Sequence, residues 1–249
     1  MKYPLILFFL SLALTACGQK EVKRNKNEKR ETPIKYEARR DSILVQTDYG
    51  SIYFTRDTTA RSYGYLNPKE IDSSVFKSTM PDIIQYLQEK QNLPIKHFEH
   101  ELINSSWSSL YWFNNDFCLY SPSDWMSNTP VLLTDSILYY LASDPGLEIL
   151  KSFKKVNSHK FEFTSLDFTG NFKTTTIEII DPKKGIAIWE YRYASNDSVV
   201  RELKVRSENV KLFPMLIFDC GENKCVFDQV DFFDEPDFSE LRKKSGNLK

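Results

Sequence analysis

Two histidines and a glutamate stand together at His97-Phe98-Glu99-His100, and such side chains can ligate a metal or move a proton. The spacing is not His-Glu-x-x-His, whose imidazoles lie four apart on one helical face. At three apart, His97 and His100 share a face on a helix and splay on a strand. A catalytic zinc also needs a third protein ligand, and none follows at a suitable interval. The region reads as a metal-dependent hydrolase centre or as plain surface histidines, and the spacing favours the second. Ser105, Ser106, Ser108 and Ser109 follow closely, but no Gly-x-Ser-x-Gly elbow presents a nucleophile. Phosphate-cradling and dinucleotide-binding glycine runs are missing too. No catalytic residue, metal ligand or cofactor is assigned, and the chain leans toward a non-catalytic role.

Seven aromatics fall within residues 107–125, interleaved with Asn114, Asn115, Asp116 and Asp124. Flat rings stack on a ligand or partner while amides supply hydrogen bonds. Trp107, Tyr111, Trp112, Asn115, Tyr120 and Trp125 are therefore the candidate binding surface. The competing reading is a core contact, since large rings dominate burial. Further on, residues 219–240 hold eight acids and one lysine. Their spacing does not fit a calcium-binding EF-hand loop. A solvated acidic edge fits better, with a basic partner protein as a further possibility.

The N-terminus is an address. Lys2 precedes the apolar run Pro4 to Leu14, which closes with Leu14-Thr15-Ala16-Cys17-Gly18. The run is shorter than the roughly 18 residues a membrane span needs and fits a signal peptide. It resembles the lipobox of bacterial lipoproteins. The resemblance covers residues 1–18 and implies cleavage before Cys17, diacylglycerol and palmitate on Cys17, and durable anchoring through more than one chain. Gly18, where an aspartate would favour inner-membrane retention, implies the outer membrane of a Gram-negative cell envelope. Residues 17–40 then read as the lipidated cysteine and a disordered basic tether, with nine Lys/Arg against four Glu in 18–40, too polar to offset ordering entropy. Export places the remaining cysteines in an oxidising space. Cys220 and Cys225 flank a turn-forming interior and are expected to form a disulfide. Cys118 is left as a buried thiol, or as a partner for one of those two.

These features need a scaffold. The chain has 249 residues, 41% hydrophobic and 27% charged, with a formal net charge of −1. Its 18 Phe, 13 Tyr and 4 Trp supply core material and exclude disorder throughout. The near-neutral balance argues against nucleic-acid binding. Partners are thus the membrane through the anchor, and an envelope protein or small ligand. Residues 43–56 alternate around Asp48-Tyr49-Gly50-Ser51 and predict a hairpin. A helix is expected over 74–91, strands and loops over 95–134, and two helices over 136–154, at SILYYLAS and LEILKSFKK. Six strands are expected at 160–168, 172–180, 185–194, 198–206, 210–219 and 224–230, joined by short turns. The expected class is α+β, an antiparallel β-meander of five or six strands in the C-terminal half with two or three helices and an N-terminal hairpin. A single domain is expected over 41–240, with a frayed tail at 241–249. The IEIIDPKKGIAIWEY stretch loosely resembles the open barrel of lipoprotein-carrier and sorting folds. That resemblance implies a carrier of a hydrophobic ligand or lipid as an alternative to an interaction module.

Overall fold

The computed structural model describes residues 43–47, 50–59, 63–64, 66, 81–82, 84–85, 88–89, 94–121, 130–140, 146–167, 169–194, 198–219 and 233–246. All lie in the compact unit that runs from Tyr36 to Lys249.

Among the described residues, twelve strands form one continuous hydrogen-bonded system. They are β1 (Ile43–Thr47), β2 (Gly50–Thr55), β3 (Ser105–Phe113), β4 (Asp116–Ser121), β5 (Val131–Leu133), β6 (Ile137–Tyr140), β7 (Gly146–Lys155), β8 (Lys160–Asp167), β9 (Phe172–Asp181), β10 (Ile186–Tyr193), β11 (Val199–Arg206) and β12 (Met215–Asp219). Strands β5 to β11 run up and down in chain order, each antiparallel to the last. β3 then closes the ring, because Trp107 pairs with Arg206 of β11 and with Val131 of β5. The result is an eight-stranded antiparallel barrel, a solution that removes exposed sheet edges. Beyond Leu110, β3 leaves β11 and pairs instead with β4 through Tyr111–Phe113. A side sheet continues from there, with β12 parallel to β4, and β2 and β1 antiparallel beyond it.

Turn chemistry fits this layout. Asn114 and Asn115 both take positive φ, 49° and 62°, which is the two-residue hairpin turn whose twist matches the flanking strands. Gly185 has φ +70°, and a Cβ there would come 2.7 Å from the Asn209 amide nitrogen, so glycine suits the β9–β10 turn twice over.

The α+β expectation is overturned. The fold is mostly β; among the described residues the complete helical elements are the 3-10 turn Ser207–Leu212 and the helix Phe238–Gly246. The two helices expected over 136–154 are β6 and β7. Both faces of β6 and of the first half of β7 are buried. Leu138 and Leu150 point into the barrel core, while Ile137, Tyr139, Leu147 and Ile149 form a second cluster outside it. A strand apolar on both faces loses its alternation, and the β7 bulge between Leu150 and Ser152 shifts what remains. The expected strand 210–219 begins instead as the 3-10 turn and becomes strand only at Met215, after Pro214. The expected tail 241–249 overlaps the last helix, whose start Asp237 caps by accepting from the Ser239 and Glu240 amides. The 43–56 hairpin is β1–β2. Helical backbone is present at Pro81, Asp82, Ile84, Gln85, Gln88 and Glu89, within 74–91. The 224–230 strand lies outside the described residues.

Among the described residues, three apolar clusters hold the unit together. One fills the barrel. A second lies between the outer face of β9–β11 and a cover made of β12, the 3-10 turn and Leu241 of the last helix. The third lies outside β6 and β7, under Ile84 and Ile95.

Candidate functional site

Strand register decides which side chains meet inside the barrel. On one face it aligns Trp107 and Ser109 with Arg206 and Lys204, Lys204 and Glu202 with Ala187 and Trp189, and Tyr191 with Thr175. It continues through Lys173 beside Ser165, Phe163 beside Phe153, Leu150 beside Ser165, and Glu148 beside Leu138. One end of this face is apolar. Trp107, Leu133, Leu138, Phe161, Phe163 and Trp189 are buried there, and Trp189 meets Trp107 and Phe163 edge to face at 5.6 and 6.4 Å.

The other end is charged. Glu148 accepts from Ser165 Oγ at 2.5 Å, Tyr140 OH at 2.7 Å and Lys173 Nζ at 2.5 Å. Lys173 also donates to Tyr140 OH at 2.6 Å and lies 4.9 Å from the Tyr191 ring centre. Glu148 and Lys173 side chains are only 11% and 8% exposed, so each needs the other to offset desolvation. Gly146 faces Tyr140, and a Cβ would stand 3.1 Å from its ring, so its small size seats the tyrosine. A second pair follows. Lys204 Nζ lies 2.8 Å from Glu202 Oε2, which also accepts from Tyr191 OH at 3.1 Å. Lys204 caps the Trp189 ring at 5.7 Å. Burial pushes the Glu202 carboxyl upward, but the Lys204 ammonium, the Tyr191 hydroxyl and the charge of Lys173 together outweigh it and hold the group below the ordinary carboxylate range. Burial, then the charge of Glu148, raises the Tyr140 phenol far above its usual value, so it stays a donor.

Where β3 and β11 part, a cleft of about 220 Å³ opens. Its walls are Ser109–Trp112 of β3, Arg201–Leu203 of β11, and Phe233, Asp234, Pro236 and Phe238 of the segment leading into the last helix. That segment is pinned to β3. The Asp234 amide donates to Trp112 O at 3.0 Å, and Asp234 Oδ2 accepts from the Asn114 amide at 2.9 Å. Phe233 stacks on Tyr111 with ring centres 4.4 Å apart. Arg201 Nε donates to Glu190 Oε2 at 2.9 Å. Burial, then the nearby Glu202, pushes the Tyr111 phenol up to about 12.

The structure divides the expected binding surface. Trp107 is wholly buried in the barrel and Tyr120 is 6% exposed, so both serve packing. Tyr111 and Trp112 line the cleft. Asn115 is exposed in the hairpin turn. Trp125 lies outside the described residues, as do Cys17, Cys220 and Cys225. Cys118 is a buried free thiol, with its pKa pushed up to about 12 by burial.

The two histidines do not converge. His97 Nδ1 pairs with Asp135 Oδ2 at 2.8 Å on the surface. His100 Nε2 meets Thr134 O at 3.1 Å, and its ring stacks on Phe153 at 3.9 Å. No group of three potential metal ligands occurs among the described residues. The charged end of the lumen has only a weak signature in the sequence. In β11, Glu202, Lys204 and Arg206 share one phase while Leu203 and Val205 share the other, and the apolar phase faces the outer cover. The available signal was charges in phase with core residues in the neighbouring strands, such as Lys173 with Thr175 and Ile177. No family model, no curated protein and no solved structure matches the chain.

Proposed function

We propose that the chain is a lipid-anchored, non-catalytic binding module of the cell envelope, held to the outer membrane through Cys17 and taking its ligand in the cleft between β3 and β11. The cleft carries this reading. It is a concave site where rings and a few placed polar groups converge, and it forms where the sheet splits rather than where packing demands it. The aromatic run of residues 107–125 contributes two of its lining rings, Tyr111 and Trp112, both on the β3 wall. The carrier alternative needs room in the barrel, and the rings of Trp107, Phe161, Phe163 and Trp189 occupy its apolar end, which is why the cleft is preferred to the lumen. The split of His97 and His100 onto separate partners gives the hydrolase alternative no support.

Two experiments test the two halves. Radiolabelled palmitate is expected to enter the wild-type product and not the Cys17→Ser variant; equal labelling would remove the anchor. For the site, a ligand screen read by backbone amide shifts is expected to give hits clustered on Tyr111, Trp112 and Arg201, and lost in Trp112→Ala. Hits clustered elsewhere, or untouched by that change, would overturn the cleft reading.

A further inference from the structure

We propose that this cleft binds an organic cation, an alkylammonium group borne either by a free small molecule or by a lysine side chain of a partner; the proposal rests on the reading of the cleft as the binding site. Its walls combine aromatic rings with two carboxylates, of which Glu202 is already paired with Lys204 on one oxygen. Tyr111, Trp112, Phe233 and Phe238 supply the rings, whose faces attract cations through their quadrupole. Glu202 and Asp234 supply the carboxylates. Glu202 is 44% exposed although Lys204 holds it from beneath, and Lys204 itself is only 5% exposed. Asp234 is exposed, and so is its neighbour Glu235. Asp237 is exposed too, but its Oδ1 is engaged in capping the helix. The cation in the wall, Arg201, is turned to Glu190 on the outer face of the barrel, a carboxylate it shares with Arg192.

Exclusion of the other ligand classes follows from the same groups. An anion entering the cleft meets Glu202 and Asp234. An uncharged apolar group covers those carboxylates and strips their water without compensation. A cation meets two carboxylates and the rings that line the cleft, of which Tyr111 and Phe233 already stack on each other. The volume of about 220 Å³ falls below the roughly 300–1,000 Å³ of drug-sized ligand pockets, so it suits one head group rather than a whole lipid. The exposed carboxylates of Asp234, Glu235 and Asp237 also draw cations toward the cleft by long-range attraction.

The test titrates the full chain, by calorimetry and amide shifts, with choline, with its uncharged isostere 3,3-dimethylbutanol, and with the amidated peptide acetyl-Gly-Lys-Gly. Choline or the lysyl peptide is expected to shift Tyr111 and Trp112 and to bind about tenfold more tightly than the isostere, as one or two cation–ring contacts predict. The tighter of the two identifies the source as a free amine or a partner's lysine. Glu202→Gln and Trp112→Leu are each expected to weaken that binding severalfold. Because Glu202 also holds Lys204, the exposed change Asp234→Asn serves as a second variant that leaves the interior alone. Equal or tighter binding of the isostere at the same residues would overturn the cation assignment and leave the cleft reading standing. Binding of neither cation would overturn the assignment, and hits from the wider screen at or away from the cleft then decide the fate of the cleft reading separately.

Discussion

The two ends of the barrel interior are built on opposite principles from the same strands. At one end Trp107, Phe161, Phe163 and Trp189 fill the space with rings whose contacts need no partner of stated charge. At the other, Glu148, Lys173 and Lys204 fill it with buried charges that are tolerable only when paired, Lys204 with the part-exposed Glu202. β9 contributes Ile177 to the first and Lys173 to the second, and β10 contributes Trp189 and Tyr191. The difference teaches that lumen position, not side-chain polarity, sets burial here. The apolar end is stabilised by area removed from water. The charged end holds its place through geometry, since a buried pair gains little net stability but leaves a costly orphan when one member is lost.

The comparison can be strained from both sides. Phe163→Ala, which opens a void between Phe153 and Trp189, is expected to cost about 3–5 kcal/mol in urea unfolding, with loss of near-ultraviolet tryptophan signal. A loss under about 1 kcal/mol would mean that the rings are not a packed core. Lys173→Met is expected to cost roughly 3 kcal/mol, because Glu148 stays buried without its cation. Adding Glu148→Gln to it is expected to recover most of that loss, and a double-mutant cycle with no coupling between the two would break the claim that the pair is interdependent. The smallest effect concerns pH. Burial lowers the His100 pKa below its ordinary 6.5, despite the opposing pull of Thr134 O and Asp135. The folded state therefore binds fewer protons there than the unfolded chain, so this contribution is complete above pH 6.5 and is lost as pH falls toward the folded value. The unfolding midpoint is expected to drop slightly over that window in the wild type and to stay flat in His100→Gln. A rise on acidification would contradict the burial of the ring against Phe153.

The same contrast explains what the sequence reveals of this fold. The β8–β11 run is legible because its turns are marked by Gly170 and by Asp181-Pro182-Lys183-Lys184-Gly185, and because Phe161 and Phe163 alternate with polar neighbours. β6 and the first half of β7 are not, since both of their faces are covered, and a two-sided apolar strand of that length carries the composition of a buried helix. Ring closure is illegible for another reason. Nothing in β3 announces that Trp107 will bridge two strands far away in the chain. Of the site, Tyr111 and Trp112 could be singled out by ring density, but Glu202 and Asp234 could not be assigned to them. Their meeting depends on where β3 parts from β11 and on one backbone hydrogen bond that draws residue 234 to that seam.

β3 also dictates an order of assembly. Its hairpin partner β4 follows after two residues, whereas the barrel seam joins positions such as Ser108 and Ser207, 99 residues apart. In a polypeptide delivered from its N-terminus the hairpin can zip as soon as it emerges, while the seam must wait for nearly the whole chain and bear the cost of closing that long loop. Until β11 arrives, β3 presents a bare edge of the kind that recruits strays, so a chain stalled or cut short of β11 is the form most prone to clump.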